Sequence, residues 1–256
     1  MNTIQINDII FHYQKIGTGK PVVLVHGNGE DHTIFKTEIE QLVSAGYCVY
    51  APDSRGHGAT GANNPPVKEF HYADMSDDIY AFIQALHLEK PAYYGHSDGG
   101  IIGLLLELRH PGTVGIMAIS GTNLSPDGLD ESFVAECRKI YEKSPDPLTA
   151  LMLHEPHIEP ALLKDITIPV LITAGEHDLI KAEETRRIAE SLPQSTLTIV
   201  ENADHGSYVV NSEIMGELLI HFLEEHERCE LVGEPKERTE SRMKKYEKAK
   251  QLLLEE

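Results

Sequence analysis

The stretch AYYGHSDGG, residues 92–100, places Ser97 between His96 and Asp98, with Gly95 and Gly99 two positions away on either side. A strand-forming run, PAYYGHS, leads in and a helix-forming run, GGIIGLLLELRH, leads out, so Ser97 has to occupy the sharp turn between them. Glycine suits both flanking positions because a Cβ there would collide with the neighbouring strand and helix. A serine hydroxyl is a weak nucleophile near neutral pH and needs a base, and the base needs a group to orient it. His205 in ENADHGSYV and Asp178 in AGEHDLI stand just past strand-forming runs and supply both. Asp127 and Asp130, after an earlier strand, are the alternative acids.

Acyl transfer through such a serine also requires donors for the anion that develops on the carbonyl oxygen. The backbone N–H of Asp98 opens a helix, where amide hydrogens lack intrahelical partners, and that of Asn28 in HGNGED is the expected second donor. Phe133, Leu151, Met152 and Tyr208 are candidate walls of a substrate pocket. Of the 14 histidines, His96 and His177 neighbour the candidate residues and are read as structural. The HEPH stretch, His154 to His157, lacks the spacing of a zinc-binding helix. No metal or organic cofactor is expected.

To position these residues the chain must alternate strands and helices, and it does: short apolar runs such as PVVLVHG, CVYAPD, VGIMAISG, IPVLITAGEHD and STLTIVEN are separated by segments of helical period. TIQI and IIFHYQKIG, split by Asn7-Asp8, predict an opening antiparallel hairpin. The fold class is α/β, a mostly parallel twisted sheet of about eight strands with helices on both faces. Residues 122–168 exceed what a crossover needs and form a small helical cap, in which Phe133, Cys137, Ile140 and Tyr141 predict one helix. The expected division is a core of 1–121 and 169–225, that cap, and a charged helical extension over 226–256.

In order, HGNG, PDSRGHG, GHSDGG, GEHD and ADHG resemble the signature of the α/β-hydrolase fold superfamily over about residues 10–225, and the chain order Ser97, Asp178, His205 is the one that superfamily uses. In DSRGHG, residues 53–58, Arg55 and His57 belong to a structural turn. The resemblance implies a serine carboxylesterase-like enzyme that cleaves a small or medium ester through an acyl-enzyme, with Ser97, Asp178 and His205 catalytic. Relatives with aspartate at the nucleophile position (haloalkane dehalogenases, epoxide hydrolases) or cysteine (dienelactone hydrolases) are excluded by Ser97. Lactone or carbon–carbon bond hydrolysis stays open. So does hydrolysis of amino-acid esters, whose cation Asp98 could meet, although a carboxylate in a helix's first turn is also explained by the dipole. Outside catalysis, the alternative is a ligand sensor that retains the triad.

The formal charge of -19 argues against nucleic-acid partners, which require basic surface. The longest apolar run, IIGLLL, is too short to span a bilayer, the amino terminus lacks signal-peptide character, and Cys48, Cys137 and Cys229 form no pair at metal or redox spacing. A cytoplasmic location with reduced thiols is expected. The cap and the C-terminal tail are the candidate surfaces for self-association as a homo-oligomer.

Overall fold

Asn7, with φ near 48°, turns the chain back on itself, so that β1 (Asn2–Ile6) pairs antiparallel with β2 (Ile9–Gly17). β2 continues antiparallel onto β4 (Tyr47–Pro52), and from β3 (Lys20–Val25) onward every pairing is parallel. The remaining strands are β5 (Ala92–His96), β6 (Ile116–Ser120), β7 (Val170–Gly175) and β8 (Ser195–Val200). In this computed structural model, which describes residues 1–232, they form one eight-stranded sheet in the order β1-β2-β4-β3-β5-β6-β7-β8. Parallel strands need crossovers. These are supplied by α1 (Lys36–Ser44), α2 (Gly58–Ala62), α3 (Tyr72–Ala85), α4 (Asp98–Arg109) and α7 (Ala182–Ser191), with α8 (Glu213–Val232) after β8.

Alternation along β3 splits the core into two layers. Val23 and Val25 pack with Met75, Ile79 and Phe82 of α3 and Ile101 and Ile102 of α4, whereas Val22 and Leu24 pack with Ile39 and Leu42 of α1 and Leu219 and Phe222 of α8. Both faces of the central strands are therefore apolar, which is why their sequences read as continuous hydrophobic runs. The loops that carry Asn28, Ser97, Asp178 and His205 all leave the carboxyl ends of β3, β5, β7 and β8, where a crevice opens in sheets of this topology.

The segment expected as a cap, residues 122–168, holds α5 (Glu131–Lys143) and α6 (Pro147–His154). Asp130 caps α5 by accepting from the amides of Ser132 and Phe133, and Asp146 caps α6 through Thr149. One expected contact differs: Ile140 is 51% exposed, and Cys137 alone on α5 is buried. Among the described residues α5 packs chiefly against α6. At the other end, α8 passes residue 226 without a break, so the extension expected from there is no separate element at its start. Its remainder, 233–256, lies outside the described residues. Among the described residues no helix is long and apolar enough to cross a membrane.

α1 and α8 approach closely at Gly216, where a Cβ would strike the Gln41 side chain. This contact seals Glu38, whose carboxyl oxygens meet no other residue's donor among the described residues. Burial pushes the Glu38 carboxyl up to about 8 from 4.5, and its own backbone amide offsets only part of that. Because the folded value lies above the unfolded one, the stability contribution is intact below pH 4.5 and is lost as pH rises towards 8. Glu38→Leu is therefore expected to raise the thermal midpoint at pH 8 by about 4 °C or more, on a scale of ~2–4 °C per kcal/mol for a domain of this size. The gain should shrink towards pH 5. Calorimetry across that range checks it, and a gain independent of pH would refute the assignment.

Candidate active site

The turn at Ser97 is built by exclusion. A Cβ on Gly99 would overlap the Val25 carbonyl oxygen of β3, and one on Gly95 would overlap the Gly99 carbonyl oxygen. Helix and strand can meet this closely only with glycine at both positions. Between them Ser97 adopts φ 52° and ψ −115°, left-handed backbone that costs a non-glycine residue about 1–3 kcal/mol. The surroundings enforce it: the Ser97 amide donates to the Ser120 carbonyl of β6 at 2.8 Å, and the Ser97 carbonyl accepts from Gly100 at 2.9 Å.

His205 is carried over the sheet edge by a loop after β8 in which Asp204 Oδ1 accepts from the amides of Gly206 and Ser207. Its Nδ1 lies 2.7 Å from Asp178 Oδ1. Asp178, with a side chain 2% exposed, also accepts from the amide of Ile180 at 3.0 Å and, through Oδ2, from that of Gly175 at 3.1 Å. Asp178 thus takes the position facing the imidazole. Asp130 caps α5 instead, and Asp127 opens a short turn before it.

Ser97 and His205 line one cavity of about 240 Å³, together with Asn28, Glu30, Tyr72, His96, Asp98, Asn123, Leu129, Phe133, Met152, Glu155 and Leu179. Of the four expected wall residues, Phe133 and Met152 are present. Leu151 and Tyr208 are not: Leu151 faces the core beneath α6, one residue out of phase with Met152, and Tyr208 is sealed under the sheet edge beside Thr173. Their apolar character reflects packing.

His96 is fully buried with its ring centre 4.9 Å from that of His205, and its Nδ1 lies 3.2 Å from Ser120 Oγ. Burial holds it well below the usual histidine range, so it remains neutral next to His205. Burial raises the Asp98 carboxyl, against hydrogen bonds donated by Tyr72 and Asn28, and also raises that of Glu30, against the Gly27 amide. His177 is exposed and serves the backbone turn, its amide donating to the Ala203 carbonyl. In the DSRGHG turn, Arg55 makes two bonds of 2.8 Å to buried Asp78, and His57 sits against His26, away from the cavity lining.

Three participants escaped the sequence reading. Gly121, at φ 56°, leaves the space the His205 ring fills, since a Cβ there would strike the imidazole. Its signal was a glycine straight after the β6 run. Tyr72 and Glu155 reach the cavity from helix ends that carry no distinguishing pattern. For a metal, Asp31, His32 and Asp53 lie close together among the described residues. Their ligand atoms already serve the protein: His32 Nδ1 is 2.6 Å from Asp53 Oδ1, Asp53 Oδ2 accepts from Ala59, and Asp31 accepts from Thr33.

A family model of the alpha/beta hydrolase fold matches residues 20–135, the segment that runs from β3 through the turn at Ser97 into α5. The chain has the α/β-hydrolase fold. Among α/β-hydrolases, an AB hydrolase superfamily protein, YisY of Bacillus subtilis, is 26% identical over 253 residues, covering 82% of this chain and 93% of that protein. The serine hydrolase BPHL of Mus musculus is 24% identical over 251 residues, covering 86% and 85% respectively. A thermophilic esterase from Thermogutta terrifontis superposes with a TM-score of 0.74 at 21% identity, covering 88% of this chain and 99% of that one.

Proposed function

We propose that this α/β-hydrolase cleaves carboxylic esters of small or medium size through an acyl-enzyme on Ser97. The observation that carries the reading is the 2.7 Å contact between Asp178 and the Nδ1 of His205, a residue that lines the same cavity as Ser97. In this mechanism His205 Nε2 removes the Ser97 proton as Oγ attacks the acyl carbon. Asp178 fixes the tautomer and stabilises the imidazolium. The amides of Asn28 and Asp98 receive the developing oxyanion, the imidazolium protonates the leaving alkoxide, and water repeats the sequence to release the acid. A volume near 240 Å³ favours short acyl groups, and an esterase and a serine hydrolase among the similar proteins lend support.

A second reading, cleavage of esters bearing an amine, draws on the carboxyls of Glu30, Asp98 and Glu155 in the cavity wall. Against it, both oxygens of Asp98 and both of Glu155 are already engaged, by Tyr72 and Asn28 and by His71 and the Tyr72 amide. The test is a panel of p-nitrophenyl esters graded from acetyl to dodecanoyl, run beside a glycyl ester and a lactone, with fluorophosphonate labelling in parallel. The expected result is labelling and the highest kcat/KM at two to four acyl carbons, falling about 10-fold or more by the longest, given ~1–3 kcal/mol per misfit methylene. Absence of both labelling and turnover would leave the ligand-sensor alternative.

A further inference from the structure

The acyl-enzyme reading leaves the Asp98 side chain without a task. The loop that supplies the second oxyanion donor is fastened at one point by Glu30, whose Oε2 accepts from the Gly27 amide at 2.8 Å while its own amide reaches the Gly27 carbonyl at 3.4 Å. That bond secures Gly27 only. Next along the loop, Asn28 precedes Gly29, which sits at φ 72°. The Asn28 amide could therefore swing unless its own side chain is held.

The side chain is held, and by Asp98. Asn28 Nδ2 donates to Asp98 Oδ2 at 3.0 Å and to the Leu148 carbonyl of α6 at 3.2 Å. The other carboxyl oxygen of Asp98, Oδ1, accepts from the Tyr72 hydroxyl at 2.7 Å. Tyr72 is 1% exposed and Asp98 is 4% exposed, so the brace between them stands in a nearly dry environment, where hydrogen bonds are strong and their loss is costly, while the Asn28 end of the strut is half-buried. The residue whose backbone amide is one oxyanion donor thus grips, with its side chain, the residue that carries the other.

We infer that Asp98 is a positioning residue of the oxyanion site: its carboxyl, braced by Tyr72, holds Asn28 so that the amides of residues 28 and 98 converge on one point, and ties that point to the cap at Leu148. The inference rests on the acyl-enzyme reading. It assigns Asp98 to transition-state geometry, so its removal lowers kcat on neutral and cationic esters alike and leaves KM nearly in place.

The test uses the full chain with Asp98→Ala, Asp98→Asn, Asn28→Ala and the double variant D98A/N28A. For each, kcat and KM are measured on p-nitrophenyl acetate and a glycyl ester, with the inhibition constant of a trifluoromethyl ketone, which forms an oxyanion adduct with the serine. Loss of one oxyanion donor costs about 10²–10³ in kcat elsewhere, so displacement of one should cost about 10- to 100-fold. Both single alanine variants are expected to show this loss, with KM within about 3-fold and ketone binding weakened in parallel with kcat. The double variant should fall no more than about 3-fold below the weaker single one, since both changes cut the same strut. Asp98→Asn keeps an acceptor for Asn28 and should recover most of the loss.

Multiplying losses in the double variant would overturn the inference, as would a D98A defect confined to the glycyl ester. If Asp98→Ala does not fold, Asn28→Ala decides alone: full kcat there refutes the strut. A wild-type protein that takes no fluorophosphonate label brings down the acyl-enzyme reading itself. A labelled wild type with multiplying losses brings down only the role of Asp98.

Discussion

Ser97→Ala is expected to abolish fluorophosphonate labelling and to lower kcat on p-nitrophenyl acetate by about 10⁴-fold or more, the scale seen when a triad serine is removed. Residual turnover would come from the oxyanion donors and from binding, which the substitution leaves in place. The fold should survive, because the backbone at residue 97 is set by Gly95, Gly99 and the Ser120 carbonyl rather than by the serine hydroxyl, which makes no capping hydrogen bond to the helix it precedes. Alanine at φ 52° carries the same backbone strain as serine, so its thermal midpoint should lie close to that of the wild type. Ser97→Gly separates strain from chemistry. It removes the same hydroxyl and relieves about 1–3 kcal/mol of strain, offset by the ~0.5–1 kcal/mol entropic cost of glycine. It should therefore be as inactive as the alanine variant and melt up to about 10 °C higher. Labelling that persists in either variant would move the nucleophile elsewhere.

How much of this was legible in the sequence follows from where each constraint acts. Gly95, Ser97 and Gly99 are constrained by steric contact within a single turn, so the spacing alone carried the geometry. Asp178 and His205 were legible because each follows a parallel strand, and every such strand delivers its carboxyl end to the same edge of the sheet. Tyr72 and Glu155 were not. Tyr72 begins α3 and Glu155 ends α6, and only the packing of cap against core brings Glu155 Oε2 within 3.1 Å of the Tyr72 amide. Leu151 and Tyr208 failed as pocket residues because an apolar side chain reads the same whether it faces a ligand or the core; the phase of α6, which turns Met152 to the cavity and Leu151 away, is set by the Asp146 cap and the Asn28–Leu148 bond. Asp98 was visible as a helix-opening acid, yet its bond to Asn28, 70 residues away, is a tertiary fact.

Asp178→Asn probes the tautomer rather than the fold. Asp178 Oδ1 faces His205 Nδ1 and the Ile180 amide, and Oδ2 faces the Gly175 amide, so apart from the imidazole both oxygens receive only donors from the backbone. An asparagine must put its NH₂ at one of these places. Placed at Oδ2, it opposes the Gly175 N–H; placed at Oδ1, it opposes the Ile180 N–H and turns His205 Nδ1 into an acceptor. The second arrangement moves the imidazole proton to Nε2, the atom that must accept from Ser97, and the first keeps the tautomer but removes the charge that stabilises the imidazolium. By either route kcat should fall about 10⁴-fold, as for the same change in other serine triads. KM should change little, because Asp178 is absent from the cavity lining. Asp178→Glu keeps the charge but lengthens the arm in a site whose acceptor geometry is fixed by two backbone amides, and a loss of about 10²-fold is expected from the misplaced ring. Activity in Asp178→Asn close to that of the wild type would instead assign the orienting role to another acid, and pairing it with Asp130→Asn would then show whether the cap carboxylate serves.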